Sequence, residues 1–375
     1  MPNLLSSNPN NSKGRLYSEK EDIKNRSPFQ RDRDRVIHSS AFRKLKQKTQ
    51  VFIESESDYY RTRLTHTLEV SQISRSICRI LNLNEDLGEC IALTHDLGHP
   101  PFGHNGENAL NIKMENHGGF NHNDQTLRII TFLEKKYPEF NGLNLTWESL
   151  EGIVKHNGKF KNEIPQTIFE YNKKHNLNLY KNPSLEAQVA SIADDIAYNN
   201  HDIDDAYRAK LIDIDQLNEI RYFKEILNNI NHKYKNLDDH ILISELVRSS
   251  INNMIEDIVF ETKNEIKNNK INSIENITEY PSFLVKMSNK LMNSSNEIKI
   301  FLYDNVYNHK NLVKKREESE MKLSKLFDYY DDNFNILPND WKNKIDLMSK
   351  ERIVCDYIAG MTDRYATQKY EMLYV

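Results

Sequence analysis

The chain carries, from residue 95 to residue 107, the stretch His95-Asp96-Leu97-Gly98-His99-Pro100-Pro101-Phe102-Gly103-His104-Asn105-Gly106-Glu107. The stretch ends an apolar run, Leu87 to Leu97, that predicts a helix, and Gly98 is expected to end that helix. A neighbouring imidazole and carboxylate at a helix end can turn toward one ion, and they suit a divalent transition metal rather than calcium. His95 and Asp96 are therefore candidate metal ligands in a helical protein.

A second helix is predicted from Arg63 to Leu81, where apolar residues recur at helical spacing. His66 lies on the core-facing stripe of this helix, and Arg63 lies one turn earlier on the same face. A buried cation needs an anionic partner, which a bound phosphate would supply. We interpret His66 as a further metal ligand and Arg63 as a phosphate-binding residue. The alternative is that His66 is a core histidine with its hydrogen bonds satisfied.

A third helix is predicted for the stretch from Ser184 to Asp202, and it carries a polar stripe away from its apolar side. Asp194, Tyr198 and Asp202 form the stripe at a spacing of four residues, and small residues flank it. We interpret this face as the wall of a cavity, with Asp194 as a distant metal ligand, although a solvated acidic face would give a similar pattern. The neighbouring pair Asp204–Asp205 is interpreted as such a solvated face.

The order of a histidine, a His-Asp pair and a distant aspartate is the signature of the HD phosphohydrolase superfamily. The chain resembles its branch of deoxyguanosine triphosphate triphosphohydrolases and related dNTPases. The matching blocks are Arg31 to Phe52, Arg61 to Glu69, His95 to Glu107, Ser184 to Asp205 and Arg352 to Tyr365. The resemblance implies a metal-dependent enzyme that splits dGTP, or dNTPs generally, into a deoxynucleoside and inorganic triphosphate.

The expected metal site has two imidazoles and two carboxylates, and it leaves positions for water and a phosphate oxygen. Its ligands are His66, His95, Asp96 and Asp194. The cofactor is a divalent ion of the Mn, Mg, Fe, Co, Ni or Zn type. A helix starting near Asn105 would place His104 and Glu107 on one face as a catalytic proton-transfer pair, although Glu107 could also serve the helix start.

The remaining substrate contacts rest mainly on the resemblance. Asp202 is expected to accept from the 3′-hydroxyl, and Tyr198 to stack under the sugar and exclude a 2′-hydroxyl. His99 is either a phosphate-side donor or a loop residue. Weaker candidates for sugar, base, phosphate or allosteric contacts are Gln47, Lys155, His156, Asp363 and Arg364.

Composition predicts an all-α fold, because glycine and proline number only 11 and 10 among 375 residues and helical periodicity dominates. A net charge of −4 argues against dedicated nucleic-acid binding. No apolar run is long enough to span a membrane, and the start lacks a secretory signal. Three cysteines in apolar helical contexts, Cys78, Cys90 and Cys355, are interpreted as buried thiols, so we expect a cytoplasmic protein.

The chain is expected to form a multi-helix HD-domain fold with a C-terminal helical extension packing back on it. Its parts are a flexible arm (1–30), the HD phosphohydrolase domain (31–210) and a helical C-terminal region (211–375) with a closing helix (346–370). The resemblance implies a homo-oligomer with a second, activating dNTP between subunits, for which the basic segment Arg31 to Lys48 offers charge.

Two other functions fit the same pattern. One is a different HD phosphohydrolase, either a nucleotidase or a phosphodiesterase. The other is a nucleotide sensor that keeps the fold without turnover, and the presence of both His104 and Glu107 argues against it.

Overall fold

The structure, a computed structural model, describes residues 4–19, 25–53, 57–161 and 163–374. These residues form helices and loops, and extended segments pair only at two isolated bridges, Arg15 with Thr146 and Thr49 with Thr62. The predicted all-α fold is confirmed. Among the described helices, none combines the length and apolar character needed to cross a membrane. All three cysteines are free and buried, as expected.

The helices that contain most of the predicted site residues belong to the first half of the chain. They are α1 (Pro28–Ile37), α2 (Ser40–Lys44), α3 (Arg63–Leu81), α4 (Glu85–Thr94), α5 (Gly103–Lys113), α6 (His122–Arg128), α7 (Trp147–Lys155), α8 (Gln166–Lys174) and α9 (Leu185–Arg208).

The second half continues with longer and more exposed helices. They are α10 (Ile214–Glu219), α11 (Arg221–Lys233), α12 (Asp239–Asn268), α13 (Ile274–Glu279), α14 (Asn289–Leu302), α15 (Lys310–Asp332), α16 (Asn339–Lys342), α17 (Lys350–Ala359) and α18 (Asp363–Tyr374). Helix α14 runs into a π-helical turn, Tyr303–Tyr307.

Capping residues fix where the site helices begin. Thr62 and Ser184 accept backbone hydrogen bonds with their side chains at the starts of α3 and α9. Helix α3 has the predicted bounds, whereas α4 ends at Thr94. His95 and Asp96 therefore lie just past the helix end, where successive side chains can turn toward one point.

A large apolar core joins α3, α4 and α9. Val70 and Ile77 of α3, Ile91 of α4 and Ile196 of α9 are fully buried, and each contributes roughly 1.5–3 kcal/mol through burial. The same core continues into α11, α12 and α14, so apolar packing crosses residue 210. The domain boundary there stays a prediction.

A second core forms where α5 packs against α15, and α15 in turn contacts α17 and α18. Phe102 and Leu110 meet Leu323 and Ile353 there, all of them buried. The C-terminal region thus packs back on the HD helices, as predicted. The prediction of a single closing helix over 346–370 is wrong, because α17 ends before Gly360 and a separate helix, α18, begins at Asp363.

The N-terminal arm contacts the core at several points within its described residues. The backbone N–H and hydroxyl of Ser7 donate to the Glu186 carboxylate at 2.9 and 3.0 Å. Arg15 pairs with the fully buried Asp32, and the Lys13 ammonium lies 3.2 Å from the centre of the Trp147 ring system. Residues 1–3 and 20–24 lie outside the described residues, so flexibility of the arm as a whole stays a prediction.

Helix α5 depends on a glycine at its contact with α15. A Cβ atom at Gly106 would overlap the Pro101 carbonyl oxygen and lie 2.7 Å from Leu323 Cδ1. We expect Gly106→Ala to lower the free energy of unfolding by about 1–3 kcal/mol. The Pro101 carbonyl belongs to the backbone, so it cannot move away from the added methyl group without distorting the chain. Urea unfolding measures the change. Ile112→Ala, at a position of the same helix that is 61% exposed, is the control and should change stability by less than about 0.5 kcal/mol. Equal stabilities of the two variants would contradict the close packing.

Candidate metal and phosphate site

Helices α3 and α9 and the turn after α4 bring the four predicted metal ligands together. His66 Nε2 lies 2.9 Å from Asp194 Oδ1, and His95 Nε2 lies 3.7 Å from the same oxygen. His95 Nε2 is also 3.4 Å from Asp96 Oδ1. Ligand atoms of His66, His95 and Asp96 all lie within 4.8 Å of one another. One ion could contact these three residues, and Asp194 Oδ1 lies beside both imidazoles.

His95 is held in the state that a metal requires. Its Nδ1 lies 2.7 Å from the Ala92 carbonyl oxygen, to which only an N–H can donate. The lone pair is therefore on Nε2, which is buried and has no hydrogen-bond partner. A backbone carbonyl behind the ligating imidazole is the usual support of metal-binding histidines. The residues present therefore fit a divalent cation.

The two carboxylates are ionised at neutral pH. Burial would raise the pKa of Asp96, but Arg63, with its guanidinium 2.8 Å away, and neighbouring histidines hold that pKa well below its usual range. Burial opposes ionisation of Asp194 as well, yet His95 and His66 lower its pKa to about 2. Burial also works against a proton on His66, but Asp194 raises the His66 pKa overall. A cation that takes the imidazole lone pair would replace that proton.

Arg63 has a different partner from the one that its spacing suggested. The guanidinium is 2% exposed and bonds to the Asp96 carboxylate, so the protein itself supplies the anion. The Arg63 Nε is buried without a hydrogen-bond partner. One donor of this side chain thus remains for a ligand.

Three histidines surround Glu107 beside the metal ligands. His104 Nδ1 lies 3.3 Å and His122 Nδ1 2.9 Å from its carboxylate oxygens. The ring of His99 stacks on His122 at 4.0 Å, and His99 Nε2 lies 3.2 Å from Asp96 Oδ1. The predicted pair of His104 and Glu107 is therefore part of a larger cluster that reaches the metal ligands through His99.

Electrostatics separate the roles within this histidine cluster. Burial would raise the pKa of Glu107, but hydrogen bonds from His104 and His122 hold it far below the usual range. Burial and then Arg63 hold the pKa of His99 well below its ordinary value, so His99 is neutral. The His104 side chain is 69% exposed, and of the three imidazoles it is the most accessible to a ligand.

A cavity of about 170 Å³ opens beside this cluster. Of the predicted residues, Arg63, His104 and Tyr198 line it. The rest of its described lining is Thr49, Gln50, Val51, Ile53, Phe102, Asn105, Tyr307, Leu312, Lys315, Arg316 and Ser319. Gln47 is not part of the lining, whereas Gln50 is, with a buried Oε1 that lacks a partner.

Asp202 and two tyrosines lie together at one end of the cavity. The Tyr307 hydroxyl donates to Asp202, and the rings of Tyr198 and Tyr307 are 6.0 Å apart. Burial raises the pKa of Asp202 to about 7, although the Tyr307 hydroxyl works against this rise. A carboxyl group in this state can accept from or donate to a ligand hydroxyl.

Lys155 and His156 are adjacent in sequence but lie in different surroundings. The Lys155 ammonium pairs with Glu151 at 2.6 Å and donates to two backbone carbonyls, so its hydrogen bonds lie within the protein. The His156 ring lies 6.3 Å from that of His95, and burial lowers its pKa to about 4. A phosphate contact for Lys155 thus has no support in the geometry, whereas His156 lies next to the metal ligands.

Asp363 and Arg364 also differ. The Asp363 carboxylate is buried and accepts from the backbone N–H groups of Thr49 and Phe102 at 2.8 and 2.9 Å. It therefore fixes two loops of the cavity lining. Arg364 is exposed and is not among the described lining residues.

The aspartates at the end of α9 are not a solvated face. Arg61 pairs with Asp204 at 2.8 Å and with Asp205 at 2.6 Å, and both carboxylates are buried. The Arg61 guanidinium also meets Glu69 at 3.0 Å. The interpretation of Asp204–Asp205 as a solvated face is wrong, because Arg61 replaces water as their partner.

Much of the basic segment Arg31 to Lys48 is used within the chain. Arg33 pairs with Asp86 and with Glu89, and Arg35 pairs with Glu19. Lysine ammonium groups donate to carbonyls at the end of α17, Lys44 to Gly360 and Lys48 to Ala359. The two arginines therefore have carboxylate partners inside the protein, and the two lysines have backbone hydrogen-bond acceptors there.

Four functional candidates were missed by sequence reasoning besides Gln50. They are His122, Tyr307, Lys315 and Arg316. His122 follows an asparagine cap in a polar stretch without periodic signal. The other three lie between the matching blocks that end at Asp205 and begin at Arg352. Only the fold brings them to the site.

Comparisons with known proteins agree with this geometry. The chain matches the HD domain family over residues 63–199 and the phosphohydrolase-associated domain family over residues 285–372.

Proteins named deoxyguanosinetriphosphate triphosphohydrolase-like protein are similar to it along nearly the whole length. The relative from Brucella ovis is 46% identical over 98% of this chain and 94% of its own, and the one from Rickettsia felis is 48% identical over 98% and 96%. A relative from Bartonella henselae is 46% identical over 99% and 95%. The chain therefore belongs to the family of deoxyguanosinetriphosphate triphosphohydrolase-like proteins, which carry the HD phosphohydrolase domain.

Proposed function

We propose that this HD phosphohydrolase splits deoxynucleoside triphosphates, dGTP or dNTPs generally, into a deoxynucleoside and inorganic triphosphate. The observation that carries the proposal is the cavity that joins the His104 side of the histidine cluster to the Tyr198–Tyr307 end with Asp202. Such a cavity can take a sugar at one end and phosphates at the other. The names of the relatives support the same substrate class.

The four ligand residues would hold the divalent cation of the enzyme. They are His66, His95, Asp96 and Asp194. The chemistry that such an ion supplies when bound is a lowered pKa of water and compensation of charge on the phosphoryl group. Arg63 orients Asp96 and offers its remaining donor to a phosphate oxygen.

The histidine cluster would move the proton. His104 lines the cavity and is bonded to Glu107, and it would give a proton to the 5′-oxygen of the deoxynucleoside as the bond between that oxygen and the α-phosphorus breaks. Water would supply the new oxygen on the α-phosphorus, which completes the triphosphate. The Glu107 carboxylate stays ionised and stabilises a protonated His104. His99 and the His122 ring stacked on it are available as donors to phosphate oxygens.

The sugar end would select the deoxynucleoside. Asp202 is the partner of the 3′-hydroxyl, and Tyr198 lies beside it on α9, whose rigidity would let the ring exclude a 2′-hydroxyl. Gln50 replaces Gln47 as the candidate for a further sugar contact. A homo-oligomer with a second, activating dNTP remains part of the proposal.

The products of the reaction test this function. Purified protein is incubated with Mn²⁺ or Mg²⁺ and each of the four dNTPs, singly and mixed, and with dNMPs and a cyclic dinucleotide. We expect inorganic triphosphate and deoxynucleoside from dNTPs. Release of phosphate from dNMPs alone would favour a nucleotidase, cleavage of the cyclic dinucleotide a phosphodiesterase, and tight dNTP binding without any product a sensor.

The metal site makes a second prediction. Asp194→Ala and His66→Ala should abolish both bound metal and turnover, because each removes one of four ligands. Metal content after loading with Mn²⁺ and gel filtration is measured beside activity. Asp195→Ala is the matched control, since the neighbouring carboxylate pairs with Lys299 at 2.7 Å, and it should keep its metal. Full metal content in the Asp194 variant would show that the ligand is misassigned.

The proton-transfer pair makes a third prediction. His104→Ala and Glu107→Ala should retain bound metal and dNTP affinity but lose roughly 10²–10⁴-fold in kcat, the usual scale for a positioned acid or base. His117→Ala, an exposed histidine paired with Glu351, should leave kcat unchanged. A raised KM with normal kcat in the His104 variant would instead make this residue a binding group.

A further inference from the structure

Three side chains of the histidine cluster meet at one carboxylate oxygen. His104 and Glu107 lie three residues apart on the first turns of α5, and His122 is the first residue of α6. The Glu107 Oε2 atom lies 3.3 Å from His104 Nδ1 and 3.0 Å from His122 Nδ1. Ligand atoms around a tetrahedral zinc ion lie roughly 3.3 Å apart, since bonds from zinc to nitrogen and oxygen are about 2.0–2.2 Å long. The three side chains therefore have the spacing of a metal site.

The backbone around His122 fixes this spacing. The His122 N–H donates to Glu107 Oε1 at 2.8 Å, and the Asn121 side chain caps α6 just before it. A Cβ atom at Gly98 would overlap the His122 carbonyl oxygen, so this residue packs directly against the turn that follows α4. The fold itself therefore holds the two imidazoles on either side of Glu107.

His99 adds a fourth possible ligand. One ligand atom from each of His99, His104, Glu107 and His122 lies within 4.8 Å of the other three. His99 Nε2 faces the ionised Asp96 carboxylate at 3.2 Å, so this nitrogen carries the proton. The lone pair is then on Nδ1, which is buried and has no hydrogen-bond partner among the described residues. A bound cation is one of the few partners that can satisfy a buried lone pair.

The donor set of the histidine cluster differs from that of the four ligands around Asp194. Three imidazoles and one carboxylate meet in the cluster, whereas the other group has two of each. Affinity for divalent ions in such sites increases from Mn²⁺ to Zn²⁺, and Mg²⁺ prefers oxygen ligands. An ion of the zinc type therefore suits the cluster better than Mn²⁺ or Mg²⁺ does.

An ion in the cluster is incompatible with the role proposed for His104. To give up a proton, His104 must first be an imidazolium, which carries a proton on each ring nitrogen. An ion bound at Nδ1 takes the lone pair that would hold one of these protons. It also occupies the Glu107 carboxylate that stabilises the imidazolium. A filled cluster therefore cannot transfer the proton.

We propose that the histidine cluster is a second metal site, which takes ions of the zinc type and inhibits the enzyme when it is filled. The site goes beyond the proposed function and does not depend on it, whereas the inhibition rests on that function. The two groups share no ligand residue, so an ion held around Asp194 would stay in place while zinc occupies the cluster.

Counting bound zinc tests the site apart from turnover. The full chain is freed of metal with a chelator and dialysed to equilibrium against micromolar Zn²⁺ before elemental analysis. We expect two zinc ions per chain in the unaltered protein and one in Asp194→Ala, His122→Ala or Glu107→Gln. His117→Ala removes an exposed imidazole that pairs with Glu351, and this matched control should keep both ions.

Thermal unfolding checks that each variant folds, and Glu107→Gln keeps the shape of the side chain if His122→Ala does not fold. One zinc ion in the unaltered protein would overturn the site. Two zinc ions in every folded variant of the cluster would overturn it as well.

A second measurement follows inhibition in protein loaded with Mn²⁺. Added Zn²⁺ should lower the rate of dNTP hydrolysis at least about tenfold, while the bound Mn²⁺ stays constant. Release of Mn²⁺ in step with the loss of activity would overturn the inhibition, because zinc would then act around Asp194. A second zinc ion that depends on His122, in a protein that splits no dNTP, would support the site and overturn the proposed function.

Discussion

The buried ion pair between Arg63 and Asp96 is the interaction on which the site depends. It joins the first turn of α3 to the turn after α4, and it fixes the positions of His66 and His95 relative to each other. Because the Arg63 guanidinium is buried, loss of the Asp96 carboxylate would leave a buried cation without its ion-pair partner, at a cost of about 3–5 kcal/mol. The approach is close enough that Gly103 must lack a side chain, since a Cβ there would lie 2.6 Å from the Arg63 guanidinium. The ion pair therefore requires a glycine at position 103.

The site lies where two apolar cores meet. The first core holds the helices that carry the metal ligands, and the second holds α5 with α15, α17 and α18. Both cores can supply residues to such a junction, and the described cavity lining draws on residues 49–53, 63, 102–105, 198 and 307–319. Each core is closely packed, which holds the lining side chains in place, while the junction between the cores remains open to a ligand.

Local periodicity predicted the parts of the site that lie on regular helices. His66, Asp194 and Asp202 could be assigned to the polar or inward faces of α3 and α9 because their spacing repeats within one helix. Loop residues gave no such signal, so Gln47 was chosen where Gln50 lines the cavity. Contacts between distant segments were also invisible: nothing around Asp204 indicates that Arg61, more than 140 residues earlier, is its partner. For the same reason Tyr307 and Arg316 could be found only from the fold.

The carboxylate of Asp363 has a consequence for the order in which the protein is completed during synthesis. It lies near the C-terminal end of the chain, yet it ties together the backbones of Thr49 and Phe102. A nascent chain that has reached residue 300 already contains every candidate metal ligand, but it lacks this fastening and the wall formed by α15. Such a chain can acquire an ion before it can enclose a nucleotide. The fastening of these two loops therefore waits for residue 363, long after the last candidate metal ligand, Asp194, has been added.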